Sequence, residues 1–123
     1  MRAMLSSGLL IAALAPMACG NPTESEARQV QSRLVPPGGE ASPLSVNSEP
    51  NAVLVRWTVR SPWKWAQYAA WAATQLRPEF QQYVVAEGIG FRRSLSGDAY
   101  TVVIEPQAGV DMNFELTFSA RPF

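Results

Sequence analysis

Residues 52–76 read AVLVRWTVRSPWKWAQYAAWAATQL, and the change of hydrophobic period inside this stretch decides the fold. Val53, Val55, Trp57 and Val59 alternate with Leu54, Arg56, Thr58 and Arg60, the period-2 pattern of a strand with one buried face. Ser61-Pro62 then offers a hydroxyl for an N-cap and a proline for the first helical position. From there Trp65, Tyr68, Ala69, Ala72 and Leu76 share one helical stripe, and its alanines are small enough to let a helix lie close on a sheet. Arg77-Pro78 ends the helix, because the residue before proline is pushed out of the helical region.

Downstream, residues 79–87 (EFQQYVVAE) fit two states. Phe80, Tyr83 and Val84 have helical spacing between a Pro78 suited to the first turn and a Gly88 suited to the end, whereas QYVVA also fits a strand. The spacing and the flanking residues favour a second short helix. Ile89, Phe91 and Leu95 alternate with polar or small neighbours, although Arg93 falls on the apolar side. Ser96-Gly97-Asp98 is turn chemistry, and Tyr100, Val102 and Ile104 continue the alternation beyond it, which makes a hairpin. After Pro106-Gln107-Ala108-Gly109, a last strand carries Met112, Phe114, Leu116 and Phe118 inward. The expected class is therefore α+β: one helical layer, with one long helix and a second short one, on a four-stranded, mainly antiparallel sheet in the order β-α-(α)-β-β-β. That order resembles cystatin-like architecture, a likeness of element order that implies no function.

The chain before residue 52 reads differently. Arg2 precedes LSSGLLIAALA (Leu5–Ala15), an apolar run of signal-peptide length that is shorter than the roughly 20 residues a membrane span needs. Ala18-Cys19-Gly20 follows. This resembles the signal of a bacterial lipoprotein, with residues 1–18 removed and Cys19 acylated as the new N-terminus. Pro16 stands where that pattern usually has Leu. The resemblance implies a membrane anchor at Cys19, a place in the cell envelope and, with Gly20 rather than Asp after the cysteine, the outer membrane of a Gram-negative host. Cleavage after Gly20 is the rival, and it would leave a soluble periplasmic or secreted protein. Residues 19–51 are punctuated by Pro22, Pro36, Pro37, Gly38, Gly39, Pro43 and Pro50. Thr23 and Glu26 match a capping box for a helix over 23–34, but isolated helices of that length are marginal in water. The segment reads as a flexible tether with a root-mean-square span of roughly 30 Å, leaving residues 52–123 as a single small domain.

Composition excludes several chemistries. The 123-residue chain has no histidine, which removes Ser-His-Asp and Cys-His catalysis and every His-ligated metal. Its one cysteine removes an internal disulfide and a Cys-rich zinc site. Ten Lys plus Arg balance ten Asp plus Glu, so the basic footprint of a nucleic-acid binder is missing. Ser61 and Lys64 match S-x-x-K, yet Lys64 is the only lysine, so no K-T-G can accompany it, and the chain is too small for that fold. Gly88-Ile89-Gly90 lacks the third glycine of a nucleotide loop and reads as a bend entering a strand. Asp98 and Asp111 sit at turns, and no calcium-loop pattern occurs. No enzyme activity, cofactor or metal is expected.

What remains is surface. Trp57 and Trp65 fall on the core faces, whereas Trp63 and Trp71 project roughly 160° and 120° from Trp65 around the helix. Exposed tryptophans are enriched at binding sites. The outward row of the sheet carries Arg56, Arg60 and Arg92 beside Glu105 and Glu115. The expectation is a non-enzymatic protein-binding or envelope assembly module whose partner meets Trp63, Trp71, Arg56, Arg60 and Arg92. A small-molecule or lipid carrier with a cavity between helix and sheet, or a secreted inhibitor, is the alternative.

Overall fold

The computed structural model describes residues 22–95 and 97–122. In chain order the elements are helix α1 (Pro22–Arg33), strands β1 (Glu40–Ala41), β2 (Ser45–Glu49) and β3 (Ala52–Arg60), helix α2 (Trp65–Leu76), and strands β4 (Gln81–Val85), β5 (Gly88–Leu95), β6 (Asp98–Pro106) and β7 (Asn113–Pro122). All pairings are antiparallel, in the order β1-β3-β7-β6-β5-β4, with β2 also on β3. Because β7 takes one edge of β3, β1 and β2 share the other, and the sheet is six strands wide. The chain leaves β3, crosses through α2 to the far edge, and returns as the meander β4-β5-β6-β7 until β7 lies beside β3.

Alternation sorts the sheet into two faces. Val55, Trp57 and Val59 stand opposite Phe118, Leu116 and Phe114 on the inner face, continued by Val102 and Ile104 of β6 and by Phe91 of β5. Both helices contribute to the same core cluster: Ala27, Val30 and Leu34 from α1 and the residue just after it, and Tyr68, Ala72, Ala73 and Leu76 from α2. Tyr68 stacks on Phe114 at 4.6 Å between centroids, and its hydroxyl donates to the Leu34 carbonyl at 2.6 Å, which ties the end of α1 to α2.

Several expectations are corrected. The sheet has seven strands rather than four, and the element order that resembled cystatin-like architecture is not the observed one. The stretch expected as a tether belongs, from Pro22 onward, to the domain: Ala27, Val30 and Leu34 lie three and four residues apart on one stripe and are fully buried. Burying Val30 and Leu34 is worth roughly 1.5–3 kcal/mol each, which is what an isolated α1 lacks. Thr23 lies inside the first turn of α1, and Glu26 turns to Arg93, so the capping box is not made.

Residues 81–85 form the strand β4, not a second short helix. Between Pro78 and Gly88 the segment is too short for a stable helix, whereas pairing with β5 satisfies its backbone and suits the β-branched Val84 and Val85. Finally, α2 begins at Trp65, after Lys64 as N-cap. Ser61 is buried in the preceding turn, where its Oγ accepts the Trp63 N–H at 2.9 Å and its own N–H donates to the Met112 carbonyl at 2.9 Å.

The misfit Arg93 is explained by α1. Its guanidinium, 19% exposed at the side chain, donates to Glu26 of α1 at 2.8 Å and to Glu79 at 3.4 Å, and lies 5.1 Å from the Phe80 ring centre. Arg33 meets the same Glu79 at 2.7 Å and donates to the Gln75 carbonyl at the end of α2. One inward arginine thus fastens α1 and the turn after α2 to β5.

Burial raises the Tyr68 phenol well above its ordinary value of 10.0. Tyr100 is also raised, by burial first, then by Asp98 and Glu26, with Arg93 opposing. The unfolded chain therefore releases these protons at lower pH than the folded one, so the stability they contribute is complete below about pH 10 and is lost as pH rises further. Urea unfolding midpoints measured from about pH 8 to 11.5 should fall beyond about pH 10. Tyr68→Phe should cost about 1 kcal/mol at about pH 8 by losing the Leu34 hydrogen bond and should make the alkaline fall shallower. An unchanged alkaline limb in that variant contradicts this assignment.

Candidate functional site

With both helices on the inner face, no helix among the described residues lies on the outer face of the sheet. Three cross-strand rows define it. One runs Gln81, Arg92, Thr101, Ser119, Leu54, Asn47; the next Tyr83, Gly90, Val103, Thr117, Arg56, Ser45; the third places Glu105 beside Glu115 and Glu115 beside Thr58. The middle of this grid is uncharged: Leu54, Thr101, Val103, Thr117 and Ser119 are all half-buried, and the Thr101 and Ser119 hydroxyls hydrogen-bond each other.

Around that centre stand the charges. Arg56 is exposed and has no ion pair among the described residues. It lines a depression of about 370 Å³ with Ser45, Val46, Asn47 and Leu54. Arg92 holds its guanidinium 5.1 Å from the Tyr83 ring centre. That ring covers Gly90, where a Cβ would come within 2.5 Å of Tyr83 Cζ, so glycine at 90 makes room for the aromatic side chain. Glu105 and Glu115 are direct neighbours on adjacent strands, a like-charge pairing that costs stability. Arg60 is set apart, bound to Glu40 at 2.6 Å near the β1 edge.

The tryptophans are placed elsewhere. Trp63 and Trp71 meet edge to face at 5.6 Å, half-buried, and both pack against the core; Trp71 also lies 5.8 Å from the Tyr68 ring. They stand on the helical side of the molecule, so the structure does not join them to Arg56, Arg60 and Arg92. Trp57 is buried in the core, its Nε1 without a hydrogen-bond partner among the described residues, and Trp65 packs 5.4 Å from Phe114.

Another depression of about 370 Å³ lies between the start of α2 and residues 106–112, lined by Lys64, Trp65, Asp111 and Phe114 among others. It is not continuous with the Trp63–Trp71 pair, and Lys64 does not meet the Ser61 hydroxyl, which is occupied by Trp63. Gly88 and Gly90 both lie in β5, as befits glycines that let strands approach closely. Among the described residues, no group of three His, Cys, Asp or Glu side chains could hold a metal ion.

No family model, curated protein or solved structure matches the chain. The geometry therefore stands by itself. Cys19 lies outside the described residues, and among those described no helix is long and apolar enough to cross a membrane.

Sequence pattern places Arg56, Arg92, Glu105 and Glu115 on one face. It misses Tyr83, whose spacing reads as helical, and the uncharged centre, which appears only once the register sets Thr101 beside Ser119 and Val103 beside Thr117. The Gly90 arrangement has a direct check. Gly90→Ala should cost about 1 kcal/mol in the chain with Tyr83 and close to nothing in a Tyr83→Ala background, measured as a double-mutant cycle in urea. Equal costs in both backgrounds contradict the account of Gly90.

Proposed function

We propose that the chain is a non-enzymatic protein-binding module of the bacterial cell envelope, anchored through an acylated Cys19 and docking its partner on the open face of the sheet. The observation that carries the docking surface is the charge layout of that face. Antiparallel sheets commonly leave one face to solvent, and such faces need no partner. Here, however, the central strands β6 and β7 present Thr101, Val103, Thr117 and Ser119, with arginines, a tyrosine and carboxylates around them. An interface core depleted of charge, ringed by polar groups and rich in Arg and Tyr, has the same anatomy.

The anchor rests on the sequence alone, and the fold changes what it implies. With α1 starting at Pro22, Cys19 is three residues from the domain. An acyl chain there holds the domain within about 10 Å of the bilayer surface, since an extended residue spans at most about 3.5 Å. The partner in this reading is a protein at or in the same membrane.

The test is photo-cross-linking in the producing bacterium, with a benzophenone amino acid replacing Val103 at the centre of the face or Gln67 on the exposed side of α2. The expected result is a protein adduct from 103 and none from 67. By intact mass the wild-type chain should begin at Cys19 and carry acyl chains, and Cys19→Ser should carry none and keep its leader. No adduct at 103, or equal adducts at both positions, contradicts the docking face; a wild-type mass without acyl chains contradicts the anchor.

A further inference from the structure

We propose that the partner on the open sheet face is a second copy of this chain, packed face to face; this rests on the docking reading above. The fold leaves several charges on this face unmatched. Glu105 and Glu115 stand side by side, and neither has an ion pair among the described residues. Arg56 and Arg92 on the same face also lack a carboxylate, although the face as a whole holds both signs. Two like charges directly opposite each other are unfavourable unless something of opposite sign covers them.

The register says what can. The row with Glu105 and Glu115 and the row with Thr101 and Ser119 lie on the same two strands, one on each side of the Val103–Thr117 pair. A two-fold axis running across the strands through Val103–Thr117 exchanges these rows between two copies. It sets the carboxylates of one copy over the Thr101 and Ser119 hydroxyls of the other. Arg92 is the direct neighbour of Thr101, so it comes within one strand spacing of the partner's Glu105. Arg56 lies on the axis row beside Thr117, so the partner's Glu115, seated over Ser119, is its diagonal neighbour, one strand and one row away, within the reach of two long side chains. Each contact occurs twice, as an isologous interface requires.

Sheets pack face to face about 10 Å apart, a gap that Arg and Glu side chains span from both sides. With strands about 4.8 Å apart and residues about 3.4 Å apart, and with the edge strands β1, β2 and β4 shorter than the central ones, the face offers roughly 800 Å² per copy, about the area per partner of a standard stable interface. The charged groups set orientation and register, and the uncharged centre supplies the contact area.

Sedimentation of the full chain in detergent tests this, with wild type, Arg92→Glu, Glu105→Arg and an equimolar mixture of the two variants. Wild type should be dimeric at tens of micromolar, and each variant should be weakened at least tenfold. The mixture should recover wild-type association. In the mixed pair the carboxylate introduced by Arg92→Glu faces the guanidinium introduced by Glu105→Arg, while the second contact, Arg92 to Glu105, is the native one. That recovery cannot come from two misfolded proteins. A monomeric wild type, a dimer that survives both substitutions, or a mixture that stays monomeric overturns the proposal. The adduct from position 103 separates it from the reading beneath it. An adduct of two identical chains supports self-association, an adduct with a different protein overturns self-association and leaves the docking face, and no adduct removes both.

Discussion

The closure of the inner sheet face by α1 is the contact on which the rest of the structure depends. Six strands at about 4.8 Å make a surface nearly 30 Å across, and a helix with its side chains covers about 10–12 Å of it. One helix of 12 residues cannot hide Val55, Trp57, Phe91, Phe114, Leu116 and Phe118 together, whereas two nearly can. The shortfall appears at the margins. Val84 on β4 and Val46 on β2 point to the helical side at opposite edges, and they are 95% and 41% exposed. The inward Arg93 belongs to the same closure, for its two carboxylates come from α1 and from the turn after α2.

Once α1 and α2 are committed to one side, no described element covers the other. A sheet face exposed in this way is ordinarily laced with charge. This one keeps its charges toward the periphery and sets two of them, Glu105 and Glu115, against each other. Hydroxyls, a valine and a leucine fill the middle. The proposed docking of a partner, and of a second copy in particular, accounts for both features with one contact.

Much of this is legible in the sequence where local pattern and tertiary packing agree. Strict alternation locates β3, β6 and β7, and Arg77-Pro78 locates the end of α2. The failures fall where packing decides. In α1 and just after it the buried apolar residues are Ala27, Val30 and Leu34, and they sit among Glu, Gln, Arg and Ser in a Pro-flanked stretch that reads as linker. β2 is exposed at every position and exists because β3 offers it a ladder. β4 carries helical spacing and strand composition together, and pairing with β5 chooses between them. Ser61-Pro62 has the letters of a helix start, but the Ser61 hydroxyl closes a buried turn ahead of α2 instead. On the candidate site, parity alone puts Arg56 and Arg92 on one face, but the pairing of Glu105 with Glu115 requires the register, which no single strand contains. The tryptophan pair escapes a helical projection because the loop before α2 folds Trp63 back onto Trp71.

Residue-resolved amide hydrogen exchange tests the central claim, that α1 and α2 together close one face and leave the other open. The account predicts that the amides of Val30 and Leu34 exchange only through global unfolding, as slowly as those of Ala72 and Leu76 and with the same dependence on low urea. Fast exchange over 22–34 while the central strands stay protected would contradict it. The stretch would then be a tether after all, and the inner face would need some other cover.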